Sequence, residues 1–219
     1  MKIKWCLILL LILLPDFLLA QSKNNNGIKL GYTSSGIYGT YTENTYNFTS
    51  RRNCYHAALF IEYCNYSFFS LVSQVEYAQK GFIEKQVETN ESGQFIQNVK
   101  AKTRLDYFSI PLLVKIKYSK IKLDPYIIFG PRFDYLVNKK NGIFKFTEID
   151  FESQFAEYLN LNKTVFGGSI GIGFSLPRIS LLKTFLEFRY NHDFTNSFFV
   201  IKENTVKNKS FDLWLGILF

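Results

Sequence analysis

The sequence predicts an all-β protein, a transmembrane barrel of eight antiparallel strands that follow one another up and down. Apolar residues recur at every second position in eight segments, which is the period of a β-strand. The connections between the segments alternate between long and short. The last segment has an unbroken apolar stripe on one face, made of Phe211, Leu213, Leu215, Ile217 and Phe219. In a soluble protein the free N–H and C=O groups at the edge of such a strand promote aggregation. In a membrane barrel the edge is paired with another strand, and the apolar face contacts acyl chains.

The first twenty residues have the order of a secretory signal peptide. Lys2 and Lys4 precede an apolar run that ends at Leu14, and the segment closes on small residues. A membrane helix needs ~20 consecutive apolar residues, about twice the length of this run. We therefore expect a signal peptide at 1–20 and an exported barrel domain at 21–219. Cleavage would lower the net charge from +8 to +7.

The eight segments and their connections define the predicted topology. The alternating segments are 28–33, 55–63, 69–78, 107–118, 125–135, 165–174, 185–191 and 211–219. The long connections are 39–54, 82–103, 137–163 and 192–209. Successive connections of an antiparallel meander lie at opposite rims, so the four long connections share one rim and the three short turns share the other. Short turns on one side and long external loops on the other are typical of outer-membrane barrels.

Two local features of the strands lead to further expectations. Pro111 lies inside the fourth segment and has no N–H for the ladder, which predicts a bulge or a bend there. Cys54 and Cys64 lie at opposite ends of the second segment, roughly 30 Å apart at ~3.3 Å per residue. A disulfide needs Cα atoms within ~7 Å, so both cysteines are expected to be unpaired.

Alternation alone does not tell which face of the barrel points inward. A soluble ligand-binding barrel would turn its apolar face inside. Here the polar face mixes single charges with glycine, alanine and serine, unlike a solvated surface, and the lumen of eight strands holds only side chains. The other face is almost uninterrupted apolar residues with tyrosines near the strand ends, as a lipid-facing belt requires. We therefore predict an apolar exterior and a filled polar lumen.

The predicted lumen contains an interior polar network with charges of both signs. Its members are Glu62, Glu76, Arg132, Asp134, Glu187, Arg189 and Asp212. Arg132 and Arg189 are expected to contact carboxylates inside the barrel, in the first place among Glu76, Glu187 and Asp212, because buried charges persist only when they are paired. A narrow lumen with charges of both signs favours a self-neutralising plug over a selectivity path.

Four motifs occur in a fixed order along the strands. They are Phe108–Lys115 (FSIPLLVK), Pro125–Pro131 (PYIIFGP), Phe166–Gly173 (FGGSIGIG) and Leu186–Tyr190 (LEFRY). In this order they resemble the small PorT-like outer-membrane barrels. The resemblance implies an integral protein of the Gram-negative cell outer membrane, with outer-membrane lipid and the barrel-assembly machinery as its partners. Phe219 matches the terminal aromatic residue by which such chains are recognised for insertion. Some members are associated with protein secretion, which makes a secretion-system protein a candidate partner.

An enzymatic alternative rests on one segment. The run from Tyr190 to Asn196 resembles the Tyr-x-His-x-Ser-Asn run of outer-membrane lipid A deacylases, in which a histidine activates a serine nucleophile. Here Phe194 stands at the nucleophile position and Thr195 is displaced by one residue. We therefore predict no catalytic residue, no metal and no cofactor. The function expected is a structural or interaction role carried by the external connections, with a lipid-modifying hydrolase or a narrow pore as alternatives.

The net positive charge does not indicate a nucleic-acid partner. The lysines are scattered through the connections, and no single element gathers them into a basic stripe. The signal peptide also directs the chain out of the cytoplasm. Nucleic acid is therefore not expected among the partners.

Overall fold

The computed structural model describes residues 25–40, 49–89, 95–118, 123–143, 160–176, 183–200 and 204–219. These form ten strands in one sheet: β1 Asn25–Thr40, β2 Thr49–Tyr63, β3 Phe69–Thr89, β4 Phe95–Lys117, β5 Pro125–Ile143, β6 Asn160–Leu161, β7 Thr164–Ser175, β8 Lys183–Asp193, β9 Phe198–Val200 and β10 Asn204–Leu218. Eight long strands pair antiparallel in chain order, and β10 pairs with β1. The predicted closed barrel of eight strands is confirmed. Among the helices of the described part, none is long and apolar enough to cross a membrane.

The closing seam joins β1 to β10 over the full length of both strands. The register runs from Gly27 opposite Leu218 to Thr40 opposite Thr205. Beyond it, the N–H of Phe219 donates to the C=O of Asn26 at 3.0 Å. Each of the eight long strands therefore has a neighbour on both sides, and the barrel wall presents no free edge.

The strands continue into segments that were predicted to be connections. We call the rim with residues 25 and 219 the turn end and the opposite rim the loop end. At the loop end β3 and β4 are separated only by residues 90–94, where a connection over 82–103 was predicted. That prediction was wrong, because beyond the lipid neither face of a strand must be apolar. The backbone ladder continues there without the alternation that reveals a strand in the sequence.

Two short strands extend the sheet at the loop end. β9 pairs antiparallel with the start of β10, and β6 pairs with β9. Leu161 of β6 packs against buried apolar residues inside the barrel. These strands thus cover part of the barrel mouth.

The exposed and buried faces of the strands follow the predicted assignment. Outward side chains form an apolar belt, with Leu30 exposed by 69% and Leu215 by 60%. The alternate positions point into the lumen, where Trp214 is fully buried and Arg189 is exposed by only 1%. The barrel therefore has an apolar exterior and a filled, largely polar interior.

Pro111 does not cause the predicted bulge. Pro111 pairs with Arg132 and Val114 with Phe129 in one continuous register, with no ladder pairs at the two positions between. The register shift between β4 and β5 lies instead between Asp106 and Tyr107. At the gap, a Cβ atom on Gly130 would overlap the carbonyl oxygen of Leu112. This close approach keeps the two backbones in register without an inserted residue.

The turn between β2 and β3 spans residues 64–68. Cys64 has a positive φ of 50°, and the N–H of Tyr66 donates to the carbonyl oxygen of Phe69 at 2.9 Å. Cys64 is free, and so is Cys54, which is buried in the lumen. The expectation of unpaired cysteines is confirmed.

Candidate functional site: a closed, charge-paired lumen

The interior of the barrel is layered along its axis, with a charged middle between two apolar clusters. The loop-end cluster consists of the buried residues Ile37, Phe82, Leu105, Tyr107, Val165 and Val206. The turn-end cluster consists of Phe60, Val72, Leu113, Tyr126, Ile128, Phe185 and Leu218. All these side chains point inward because they share the two-residue period of the polar face.

The first charged group is a quartet of two cations and two carboxylates. Arg189 contacts Glu76 at 2.9 Å and Glu187 at 2.5 Å. Lys29 lies 3.4 Å from Glu187 and 3.8 Å from Glu76. The Nζ of Lys29 also lies 4.2 Å from the centroid of a Trp214 ring, a cation–π contact. Because β3 and β8 stand on opposite sides of the barrel, Arg189 connects the two walls across the lumen.

A second quartet lies nearer the loop end. Arg132 contacts Asp134 at 2.9 Å and Asp193 at 2.5 Å. Lys80 contacts the same two carboxylates at 2.6 Å and 3.4 Å. Asp193 also accepts a hydrogen bond from the hydroxyl of Ser197 at 2.8 Å. Each quartet is neutral overall, which is how buried charges avoid the cost of an unpaired ion.

Asp212 lies between the two quartets and is the centre of a group of polar side chains. It accepts hydrogen bonds from the hydroxyl of Thr33 and the amide of Asn191. The Nε2 of His56 lies 3.6 Å from Oδ1 of Asp212, the oxygen that also accepts the hydrogen bond of Thr33.

Glu62 closes the turn end of the lumen. It accepts a hydrogen bond from the hydroxyl of Ser70 at 2.7 Å. Lys115 and Lys117 contact its two oxygens at 3.0 Å and 2.6 Å. This carboxylate therefore has partners on every side.

The structure places all seven residues of the predicted network inside the lumen, where each is at most 3% exposed. Arg189 contacts two of the carboxylates expected for it. Arg132 also contacts carboxylates inside the barrel, but they are Asp134 and Asp193 and not the three that were expected first. The chain order of the strands does not reveal which positions meet across the lumen.

Four charged members of the lumen were missed by the sequence reasoning. Lys29 and Lys115 have the right alternation for the inner face, and this pattern could have identified them. Lys80 and Asp193 lie just past the apolar stretches that marked the predicted strands. Lys29, Lys80 and Asp193 complete the two quartets, and Lys115 pairs with Glu62.

Side chains fill much of the described part of the lumen. A cavity of about 300 Å³ opens at the turn end, next to Glu62, Lys115, Lys117 and Lys183. A smaller cavity, beside Gln74, measures about 10 Å³, at or below the ~10–15 Å³ that one water molecule needs. The packed side chains and the paired charges therefore stabilise the barrel.

His192 lies outside the lumen, and two tyrosine hydroxyls face its ring nitrogens. Its Nε2 lies 2.7 Å from the hydroxyl of Tyr38, and its Nδ1 lies 3.1 Å from the hydroxyl of Tyr190. The hydroxyl of Thr195 is instead bound to the backbone N–H of Phe166 at 2.8 Å. Within the described ranges, no group of three or more His, Cys, Asp or Glu side chains could hold a metal ion.

The fold and the lumen define the class of the molecule as a membrane-spanning β-barrel with a filled interior that contains paired charges. The model of the family described as the outer membrane protein beta-barrel domain matches residues 19–198. The chain belongs to this family, whose members are outer-membrane proteins. A comparison with curated proteins found no match.

Three solved outer-membrane barrels are similar to the chain. The neisserial surface protein A shares 14% identity and a TM-score of 0.46, covering 90% of this chain and 96% of that one. OprG of Pseudomonas aeruginosa shares 11% identity and a TM-score of 0.44, with coverages of 91% and 97%. Ail of Yersinia pestis, in complex with a heparin analogue, shares 12% identity and a TM-score of 0.42, with coverages of 90% and 100%. Identities at this level carry no information about function.

Proposed function

We propose that the protein is a non-enzymatic, PorT-like barrel of the outer membrane that binds another protein of the cell envelope through its loop end. A component of a protein-secretion system is the candidate partner. The observation that carries the proposal is the closed lumen, with two apolar clusters around neutral charge quartets. A filled barrel offers no transport path, so recognition falls to the elements that extend beyond it.

The hairpin of β3 and β4 is the candidate recognition element. These strands have 21 and 23 residues, about twice the ~9–11 residues that cross a membrane. The pairing of β3 with β2 ends at Glu84, and the pairing of β4 with β5 ends at Ala101. Among the described residues, the hairpin beyond this point is a two-stranded ribbon with ladder groups on both edges. A partner can add a strand to such an edge.

The test removes this ribbon and leaves the barrel intact. In the variant, Glu84 is joined to Ala101 by an Asn-Gly turn, which suits a two-residue hairpin. We expect affinity capture of the wild-type barrel from intact envelopes to recover a secretion-system component. The variant should assemble normally and lose that component.

Other results would overturn the proposal. Release of fatty acid from lipid A by the purified protein, abolished by His192→Ala, would identify a hydrolase. A stable single-channel current in planar bilayers would identify a pore. A secretion component that is captured equally well without the ribbon would place the binding surface elsewhere.

The terminal strand is proposed to act as the assembly signal, through Phe211, Leu213, Leu215, Ile217 and Phe219. Phe219 is 62% exposed, and its N–H makes the last hydrogen bond of the seam. Deleting Phe219 should therefore lower the yield of assembled barrel far more than removing the ribbon. The amount of heat-modifiable protein in isolated outer membranes measures this yield. The mass of the recovered protein tests whether residues 1–20 are removed. Wild-type assembly without Phe219 would exclude the signal role.

A further inference from the structure

A group of aromatic and basic side chains covers the outward face of the barrel near the loop end. We call it the aromatic–cation patch; it consists of Tyr38, Arg51, Tyr190, His192, Lys209 and Phe211. The guanidinium carbon of Arg51 lies 4.6 Å from the ring centroid of Phe211. The Nζ of Lys209 lies 5.4 Å from the ring centroid of Tyr38. Arg51 also donates from Nη1 to the carbonyl oxygen of Ser34 at 3.4 Å, and the attraction to the ring faces helps to hold both cations in place.

His192 lies within this patch, fixed by two tyrosines. Its ring stacks on Tyr38 with centroids 4.8 Å apart, and its two nitrogens face the hydroxyls of Tyr38 and Tyr190. In the sheet, Lys209 is the cross-strand neighbour of His192. The patch is therefore an ordered surface and not a set of independent side chains.

The cations of the patch differ from those of the lumen in having no acidic partner. The cations of the quartets, Lys29, Lys80, Arg132 and Arg189, each contact carboxylates. Within the described ranges, Arg51 and Lys209 contact none, and no Asp or Glu points outward from β1, β2, β7, β8 or β10. The lipid face tolerates basic residues only near its interfaces. Among the described residues, the patch thus presents positive charge without an acidic partner at the level of the lipid headgroups.

An apolar groove of about 650 Å³ lies beside the patch on the same outward surface. Pro131 and Gly168, which pair across β5 and β7, form its shallow part. Phe129 and Ile170 border it, and Tyr190 and His192 belong to both the groove and the patch. A groove that faces the bilayer and leads to a positive surface fits a lipid with an acyl chain and an anionic headgroup.

We propose that this surface binds a phosphorylated lipid of the outer leaflet. Its phosphate contacts Arg51 and Lys209, and one acyl chain lies in the groove over Gly168. This site is independent of the lumen and of the β3–β4 ribbon. Phosphate suits the patch because charge-assisted hydrogen bonds to arginine and lysine are the strong ones.

The test measures binding of lipid A to the folded barrel in detergent by native mass spectrometry. We expect the phosphorylated lipid to bind and its dephosphorylated form to bind much more weakly. Each basic residue near an anionic lipid is worth about fivefold in affinity, so the double variant Arg51→Gln, Lys209→Gln should bind about thirtyfold more weakly. Lys140→Gln, at an exposed lysine outside the patch, is the matched control and should not change the affinity.

A second variant tests the groove separately. A Cβ atom at Gly168 would lie 2.8 Å from the ring edge of Phe194, which must move, and at an ordinary 3.8 Å from the carbonyl oxygen of Gly130, so Gly168→Leu should fill the groove without disturbing the ladder. It should weaken binding of the acylated lipid and leave binding of the deacylated, phosphorylated headgroup unchanged. Equal binding of the dephosphorylated lipid, or an unchanged affinity in the double variant, would overturn the proposal. If the double variant does not assemble, an affinity of the wild type that is insensitive to salt would overturn it.

Discussion

Replacing Arg132 by alanine is expected to lower the free energy of unfolding by about 3–5 kcal/mol. Arg132 is 2% exposed and contacts Asp134 and Asp193, which would then share the single ammonium of Lys80. One buried negative charge would be left without compensation. Urea unfolding in lipid vesicles, followed by the fluorescence of the buried Trp214, measures the change.

The exposed ion pair of Lys183 with Asp124 supplies the matched control. Its atoms are 2.9 Å apart, but both side chains are more than a third exposed. Because solvent screens such a pair, Lys183→Ala should cost at most ~1 kcal/mol. Adding Asp193→Asn to Arg132→Ala removes the surplus carboxylate and should recover part of the loss. Equal losses for Arg132→Ala and Lys183→Ala would show that the quartet does not stabilise the barrel.

Replacing Gly81 by alanine is the second large effect. Gly81 has a φ of 144°, which L residues rarely adopt, and a Cβ atom there would overlap the carbonyl oxygen of Thr103. The β2–β3 ladder is interrupted beside it, and the N–H of Gly81 donates instead to the hydroxyl of Ser35 at 3.0 Å. The strained φ alone should cost about 1–3 kcal/mol, and separating β3 from β4 adds to it. The same urea titration measures the total.

Gly36→Ala is the control for this substitution. Gly36 has an ordinary φ, and its Cβ would meet only the flexible side chain of Arg51, at 3.3 Å. The stability should change by no more than ~0.5 kcal/mol. If Gly81→Ala is equally mild, the backbone at Gly81 is not constrained as its φ indicates.

The arrangement of charges explains why the lumen is a structural element. Lys29, Glu76, Glu187 and Arg189 neutralise one another within one group, and the second quartet repeats this composition. A selectivity path would require a surplus of one sign along an open channel. The paired charges therefore stabilise the barrel, and we propose that its two outward features, the ribbon and the aromatic–cation patch, bind other molecules.

The sequence by itself determined the architecture and the orientation of the faces. Side chains that face lipid must be apolar, and side chains that face inward must fill the narrow lumen. Every membrane-spanning strand therefore shows the alternation seen from Phe211 to Phe219. Glu62, Asp134 and Asp212 could be placed inside from this pattern alone.

Only the tertiary structure decided which residues meet and where the strands end. Arg189 reaches Glu76 across the lumen because closure of the barrel sets β8 opposite β3. The alternation within a single strand does not show which strands will face each other. The seam in the same way brings Lys209 beside Gly36, next to Arg51. At the loop end the strands lose their apolar face, so the ribbon of β3 and β4 is held by backbone hydrogen bonds that leave no period in the sequence.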